Sequence, residues 1–121
     1  MAKRFRSLFE ADFARDLYDR NIKASYETNK IRYVPPVRTY TPDFFIEDHD
    51  FYVETKGLFS SEDRAKHLLI QKQHPDLDIR FIFMNSKKRL SKKSKTTYAQ
   101  WCDKHGFTYD VMTLPKEWIN D

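Results

Sequence analysis

A chain of 121 residues has room for one domain, 1–121, with a modest core, so a dimer that shares core elements would be an unsurprising solution. Hydrophobic residues make up 40%, with ten Phe and seven Tyr, which is too apolar and aromatic for a disordered chain. Two glycines leave no Gly-rich phosphate loop, and the single cysteine, Cys102, allows no internal disulfide and suits a reducing compartment.

No apolar stretch approaches a membrane span and no signal peptide opens the chain, so the expectation is a soluble intracellular protein. The formal charge of +4 is unevenly spread: residues 86–104 hold seven Lys/Arg against one acid, leaving the remainder net negative. A concentrated basic segment of this kind is either a solvated loop or the footprint of a polyanion, with nucleic acid the first choice.

Ser7 to Asn21 reads as the first helix, with Phe9, Phe13 and Leu17 in one apolar stripe. Ser7 followed by Glu10 fits a capping box, which alone would account for the glutamate. Ala24 to Tyr33 reads as extended, and Pro35-Pro36 then stiffens the chain and cannot donate to a ladder. Tyr40 to Ile46 and Phe51 to Lys56 read as strands joined by a hairpin turn, Glu47-Asp48-His49-Asp50. Ser60 or Ser61 caps a helix running to about His74, where Pro75 marks its end. Ile79 to Met84 is a short apolar run of the buried-strand kind. Thr97 to His105 forms another helix, with Gly106 as a left-handed cap. Phe107 to Tyr109 adds a strand, and Pro115 opens a final turn with Trp118. The order α-β-β-α-β-α predicts an α/β fold, a mixed central sheet flanked by helices.

The chemistry concentrates in Thr41-Pro42-Asp43 and Glu54-Thr55-Lys56. Alternate residues of a strand face the same way, so Glu54 and Lys56 project side by side. Hairpin pairing brings Asp43 beside Glu54, and two carboxylates so placed make a hard oxygen pocket of the sort Mg²⁺ prefers. A water bound there becomes more acidic and Lys56 can orient or deprotonate it, which suffices for phosphodiester hydrolysis. The alternative is a surface ion pair between Glu54 and Lys56, worth ~0–1 kcal/mol; the upstream Pro-Asp and the hairpin weigh against it.

Pro42-Asp43 with Glu54-Thr55-Lys56 resembles the PD-(D/E)xK nuclease signature. More closely, Thr39 to Phe45 (TYTPDFF), Val53 to Leu58 (VETKGL) and Asp63-Arg64 with Lys66 to Ile70 (KHLLI) resemble the phage endonuclease I family. So do His74-Pro75, Leu77 to Arg80, Lys104 to Gly106 and Glu117 to Ile119, and the similarity runs from about Phe5 to the end. The resemblance implies a restriction-endonuclease-like core and a Holliday-junction resolvase: a homodimer that uses Mg²⁺, with Mn²⁺ as a substitute, to nick two strands of branched DNA. It implies that Asp43 and Glu54 bind metal, with the Thr55 carbonyl as a further ligand. Lys56 would act at the nucleophilic water, and Glu10 would be the fourth catalytic residue and a further metal ligand. It implies domain swapping through an extended bridge, for which residues 30–40 occupy the corresponding place, and the host-cell cytoplasm as location if the protein is phage-encoded.

Lys87, Lys88, Arg89, Lys92, Lys93 and Lys95 are expected to contact DNA phosphates, which gives affinity with little sequence preference. Lys3, Arg4 and Arg6 are candidates for the same task beside Glu10, and Arg64, Lys66 and His67 for facing the scissile region. His49, His67, His74 and His105 have no zinc-ligand spacing, and Trp101 and Trp118 read as core. Two other functions compete with junction resolution: another nuclease on the same core, of the transposase end-cleaving or restriction type, and a DNA-binding module without catalysis.

Overall fold

The six residues Phe51–Lys56 form the longest strand, and the rest of the sheet is built outward from it. The computed structural model describes residues 5–33 and 38–120. In chain order these form α1 (Leu8–Asp19), β1 (Ala24–Tyr26), β2 (Ile31–Tyr33), β3 (Arg38–Tyr40), β4 (Phe44–Ile46), β5 (Phe51–Lys56), α2 (Ser61–Gln73), β6 (Ile79–Phe83), α3 (Tyr98–His105) and β7 (Tyr109–Val111), with a 3₁₀ turn at Lys116–Trp118. A five-stranded sheet runs β1-β4-β5-β6-β7, and β2 and β3 make a separate two-stranded sheet.

The expected hairpin is present: β4 and β5 pair antiparallel, with Asp50 at φ 62° in the connecting turn, where aspartate tolerates the left-handed region better than most residues. Strands β5, β6 and β7 are mutually parallel, with α2 and α3 as the crossovers. The result is a mixed sheet, as the element order requires.

The two faces of the sheet are buried against different helices. Phe13 and Leu17 of α1 pack on Phe44, Ile46, Phe51, Val53 and Ile82. Alternation along β6 sends Phe81 and Phe83 to the other face, where they meet Phe59, Tyr98, Trp101 and Cys102. Each such aromatic or branched side chain withdrawn from water contributes about 1.5–3 kcal/mol. A third cluster, Ile31, Tyr33, Tyr40, Ile70 and Ile79, fastens the two-stranded sheet to α2. Trp101 and Trp118 both pack with core clusters.

The helix caps agree with the sequence. Ser60 and Thr97 each complete a capping box, and Gly106 closes α3 at φ 77°. The strands are more broken than their composition suggests. Residues 24–33 divide into β1 and β2, which lie in different sheets, because Glu27 turns the chain at φ 50°. Residues 40–46 also divide: Tyr40 ends β3, and Pro42, which lacks an N–H, separates it from β4. The last strand starts at Tyr109 rather than Phe107.

Residues 30–40 contain the antiparallel pair β2–β3, Ile31 opposite Tyr40 and Tyr33 opposite Arg38, made within one chain. The central Val34-Pro35-Pro36-Val37 lies outside the described residues, as do Lys3 and Arg4. Among the described residues no helix is long and apolar enough to cross a membrane.

Candidate active site

The β4–β5 register sets Phe44 opposite Val53 and Ile46 opposite Phe51. One step further along the same ladder, Asp43 falls opposite Glu54. Both are buried, at 1% and 3% exposure. The Asp43 N–H donates to Glu54 Oε2 at 2.9 Å. Thr55 then fixes the aspartate from its other side, since its N–H (3.0 Å) and its hydroxyl (2.9 Å) both donate to Asp43 Oδ2. The sequence singled out Thr55 for its carbonyl; the hydrogen bonds that define its position come from its N–H and side chain.

Glu10 reaches the same place from α1. Ser7 Oγ accepts the Glu10 N–H at 3.1 Å, so the serine is the expected N-cap. The reciprocal half of the box is displaced by one residue, because Glu10 Oε1 accepts the Arg6 N–H at 2.9 Å. Oε1 also accepts the Tyr26 hydroxyl at 2.7 Å. The side chain therefore secures the helix start and stands beside Asp43 at once.

Arg6 links the acids. Its Nη2 donates to Asp43 Oδ1 at 2.6 Å and to Glu10 Oε2 at 3.1 Å, and its Nε meets Glu27 Oε2 at 2.9 Å. Ligand oxygens of Glu10, Glu27 and Asp43 lie within 4.8 Å of one another, an arrangement able to hold a metal ion. Glu27 was not foreseen. Its own N–H bonds to the Asp43 carbonyl at 3.0 Å, which anchors the left-handed turn to the site.

Lys56 projects from β5 on the side of Glu54, with Nζ 3.6 Å from Glu54 Oε1 and 3.3 Å from Asp63 Oδ1. Asp63, the N3 residue of α2, also approaches Lys66 at 3.8 Å and is a second member that the motif did not indicate. Lys66 lies over the Tyr40 ring and lines the cleft with Glu54 and Lys56. Arg64 caps the Phe59 carbonyl at 2.8 Å. His67, expected to face the scissile region, is fully buried instead. It lies on the inward stripe of α2 with Ile70, against the rings of Tyr40 and Phe81. Its Nε2 is 4.0 Å from Glu54 Oε1, so it backs the acid from the protein interior and is not on the surface where DNA would lie.

Burial dominates the electrostatics of the central acids, even with Arg6 and Lys56 beside them. Burial pushes the Asp43 carboxyl up to about 7, and the neighbouring Glu54 charge adds to it. Burial also raises Glu54, against the opposing influence of Lys56 and the Asp43 N–H. Glu10 goes the other way. Burial would raise it, but the Tyr26 hydroxyl, the Arg6 N–H and the Arg6 charge outweigh that and hold it low. Burial and two lysines depress His67 to about 3, so its ring is neutral.

Two clefts open at the site, and Arg6 and Lys56 line both. One, of about 530 Å³, runs past Glu54, Asp63 and Lys66; the other, of about 460 Å³, exposes Glu10, Asp43 and Thr55 beside an apolar wall of Leu58 and Met84. The structure thus assembles Glu10, Asp43, Glu54, Thr55, Lys56 and Arg6, with Lys66 at the edge. The cations Lys87, Lys88, Arg89, Lys92, Lys93 and Lys95 are all exposed, on a loop that follows β6. That loop is held in shape by Tyr98 N–H to Lys88 O (2.8 Å), Ala99 N–H to Ser86 O (3.0 Å) and Leu90 N–H to Thr96 O (2.9 Å).

A mixed sheet that presents two buried acids and a lysine where β4 begins and β5 ends has the architecture of an α/β nuclease. The phage endonuclease I family model matches residues 1–121, and the chain belongs to that family. It is 46% identical to Endonuclease I of Escherichia phage T7 over 119 residues, covering 97% of this chain and 79% of that protein. It is 45% identical to Endodeoxyribonuclease 1 of Enterobacteria phage T3 over 113 residues, covering 92% of this chain and 74% of that one. The family resemblance drawn from the sequence motifs is therefore shown across the whole chain.

Proposed function

We propose that the protein is a metal-dependent endodeoxyribonuclease that resolves four-way DNA junctions by paired phosphodiester hydrolysis, working as a homodimer. The juxtaposition of buried Asp43 and Glu54 with Lys56 is the observation that carries the chemistry. The name of the phage T3 relative supports DNA as the substrate, and the four-way junction is what the family resemblance implies.

The residues present fit a hard divalent cation. Asp43 and Glu54 are carboxylates whose pKa values burial raises, which a bound cation would reverse, and Glu10 adds a third acid within reach of Asp43. In this reading Asp43, Glu54, the Thr55 carbonyl and Glu10 would hold Mg²⁺, or Mn²⁺ in its place. When bound, the ion supplies an acidified water and offsets charge on the attacked phosphate. Thr55 keeps Asp43 from rotating, and the Asp43 N–H does the same for Glu54. Lys56, held between Glu54 and Asp63, donates to the attacking water and orients it. The exposed cations of the 87–95 loop, together with Lys66, hold the DNA backbone without reading bases.

Two symmetric cuts ask for two sites related by a twofold axis, which a homodimer provides. The β2–β3 pairing, if made between two copies, would make residues 30–40 the bridge of a strand exchange.

The test is a labelled immobile four-way junction beside a linear duplex of matching sequence, each with protein and Mg²⁺. Paired cuts near the branch point, absent from the duplex and from an EDTA control, are expected. Equal cutting of both DNAs would keep the nuclease and remove the junction preference. A bound but uncut junction would make the chain a DNA-binding module.

A further inference from the structure

Arg6 occupies the position in which a metal-free carboxylate cluster most needs a cation. Three acids converge on it from three parts of the fold: Glu10 from α1, Glu27 from the turn after β1 and Asp43 from the entry to β4. The fork is divided between them. One nitrogen, Nη2, serves both Asp43 and Glu10, while Nε meets Glu27.

The two ends of this arrangement differ in exposure. The side chains of Glu10 and Asp43 are 7% and 2% exposed, whereas that of Arg6 is 65% exposed. The Arg6 N–H is tied to Glu10 Oε1, so its side chain can swing into solvent while the backbone stays in place. A divalent cation on Asp43 and Glu10 would take the oxygens that Nη2 now uses, and like charges so close repel strongly. Glu27 is the partner such an ion would leave to the arginine.

We propose that Arg6 is the built-in counter-cation of the metal-free site, displaced from Asp43 and Glu10 when a divalent cation loads and kept beside the site by Glu27. The inference rests on the metal-dependent reading above. It makes Arg6 and Glu27 positioning residues: Arg6 sets how readily the metal enters, and Glu27 is its tether rather than a ligand.

Calorimetric titration of Mn²⁺ into wild-type protein and the Arg6→Gln, Arg6→Lys and Glu27→Gln variants at pH 8 separates these roles without recourse to cleavage. Arg6→Gln is expected to bind Mn²⁺ about three- to tenfold more tightly, the effect of removing part-buried charge-assisted contacts to the ligand oxygens. Arg6→Lys, which keeps the charge but loses the fork, should fall between it and wild type. Glu27→Gln should bind within about twofold of wild type, or more tightly, as expected when the residue holds Arg6 and not the metal. Circular dichroism checks that each variant is folded, and Arg6→Lys is the readout should Arg6→Gln not fold. Equal or weaker Mn²⁺ binding by the Arg6 variants would overturn the counter-cation role, and a tenfold loss in Glu27→Gln would make Glu27 a ligand. Failure of the wild type itself to bind Mn²⁺ would overturn the metal-dependent reading, and this inference with it.

Discussion

The Asp43 backbone N–H donates to Glu54 Oε2, so one acid of the central pair is held in place by the main chain of the other. A glutamine at position 54 can still accept that bond through its carbonyl, whereas alanine leaves a buried N–H without a partner. Glu54→Ala is therefore expected to be less stable than Glu54→Gln by about 1–3 kcal/mol, measured by urea unfolding in EDTA. Both should lose cleavage by at least about a hundredfold, since neither supplies a charged ligand. Junction cleavage surviving in Glu54→Ala would sink the assignment of the site.

Asp43 makes the site a stability liability at neutral pH. Its folded carboxyl titrates near 7, against an ordinary value of 3.8, because it is buried beside Glu54. Between about pH 4 and pH 7 the folded state keeps a proton that the unfolded chain has lost. Stability from this group therefore falls as pH rises through that window and stays low above it. Without metal, Asp43→Asn should match wild type near pH 4 and gain about 1–3 kcal/mol relative to it at pH 8. Thermal unfolding at the two pH values in EDTA measures the difference. A gap that does not change with pH would contradict the shifted titration.

The legible part of this site was the part that obeys strand periodicity. Glu54 and Lys56 share a face by alternation, and a four-residue turn between two strands fixes Asp43 opposite Glu54. Ser7 and Glu10 were legible as a cap, and the cap geometry is what turns Glu10 toward Asp43. Glu27 was hidden because it arrives through a left-handed turn at φ 50°, which a non-glycine residue does not advertise. Residues 24–33 and 40–46 look continuous by composition, yet both break where the chain leaves one sheet for the other. His67 was misread because α2 is mostly polar. Its large apolar residues are the consecutive Leu68, Leu69 and Ile70, which pack on two different core clusters and mark no single stripe, so the inward position of His67 does not show in the spacing.

His67 carries a pH dependence of the opposite sign. Its ring is buried among aromatic rings, and neither nitrogen has a hydrogen-bond partner among the described residues. Burial depresses it to about 3 from an ordinary 6.5. Below pH 6.5 the unfolded chain takes up a proton that the folded state refuses, so stability is lost progressively between about pH 6.5 and pH 3. His67→Phe fills the same space without that penalty. Between pH 7 and pH 4 it should lose less stability than wild type, by about 3 kcal/mol, in urea unfolding followed by circular dichroism. Parallel pH profiles for the two proteins would show that His67 is charged in the folded state.

The basic loop should act through charge alone. Its six cations are exposed, and the backbone bonds that pin Lys88, Leu90 and Tyr98 hold them as a fixed array instead of a loose tail. Each lysine on a phosphate releases counterions, and the logarithm of affinity falls with the logarithm of salt by roughly 0.9 per contact on duplex DNA. Replacing Lys92 and Lys93 with alanine is expected to reduce that slope by about 1–2 and to weaken junction and duplex binding alike. The intrinsic cutting rate at saturating protein should stay within about twofold of wild type, because neither lysine belongs to the acid and lysine set around Asp43. Binding measured by fluorescence anisotropy across a salt series, with Ca²⁺ in place of Mg²⁺, reports the slope directly. An unchanged slope would return the loop to an ordinary solvated surface, and a loss confined to the junction would mean that it reads branch geometry as well as charge.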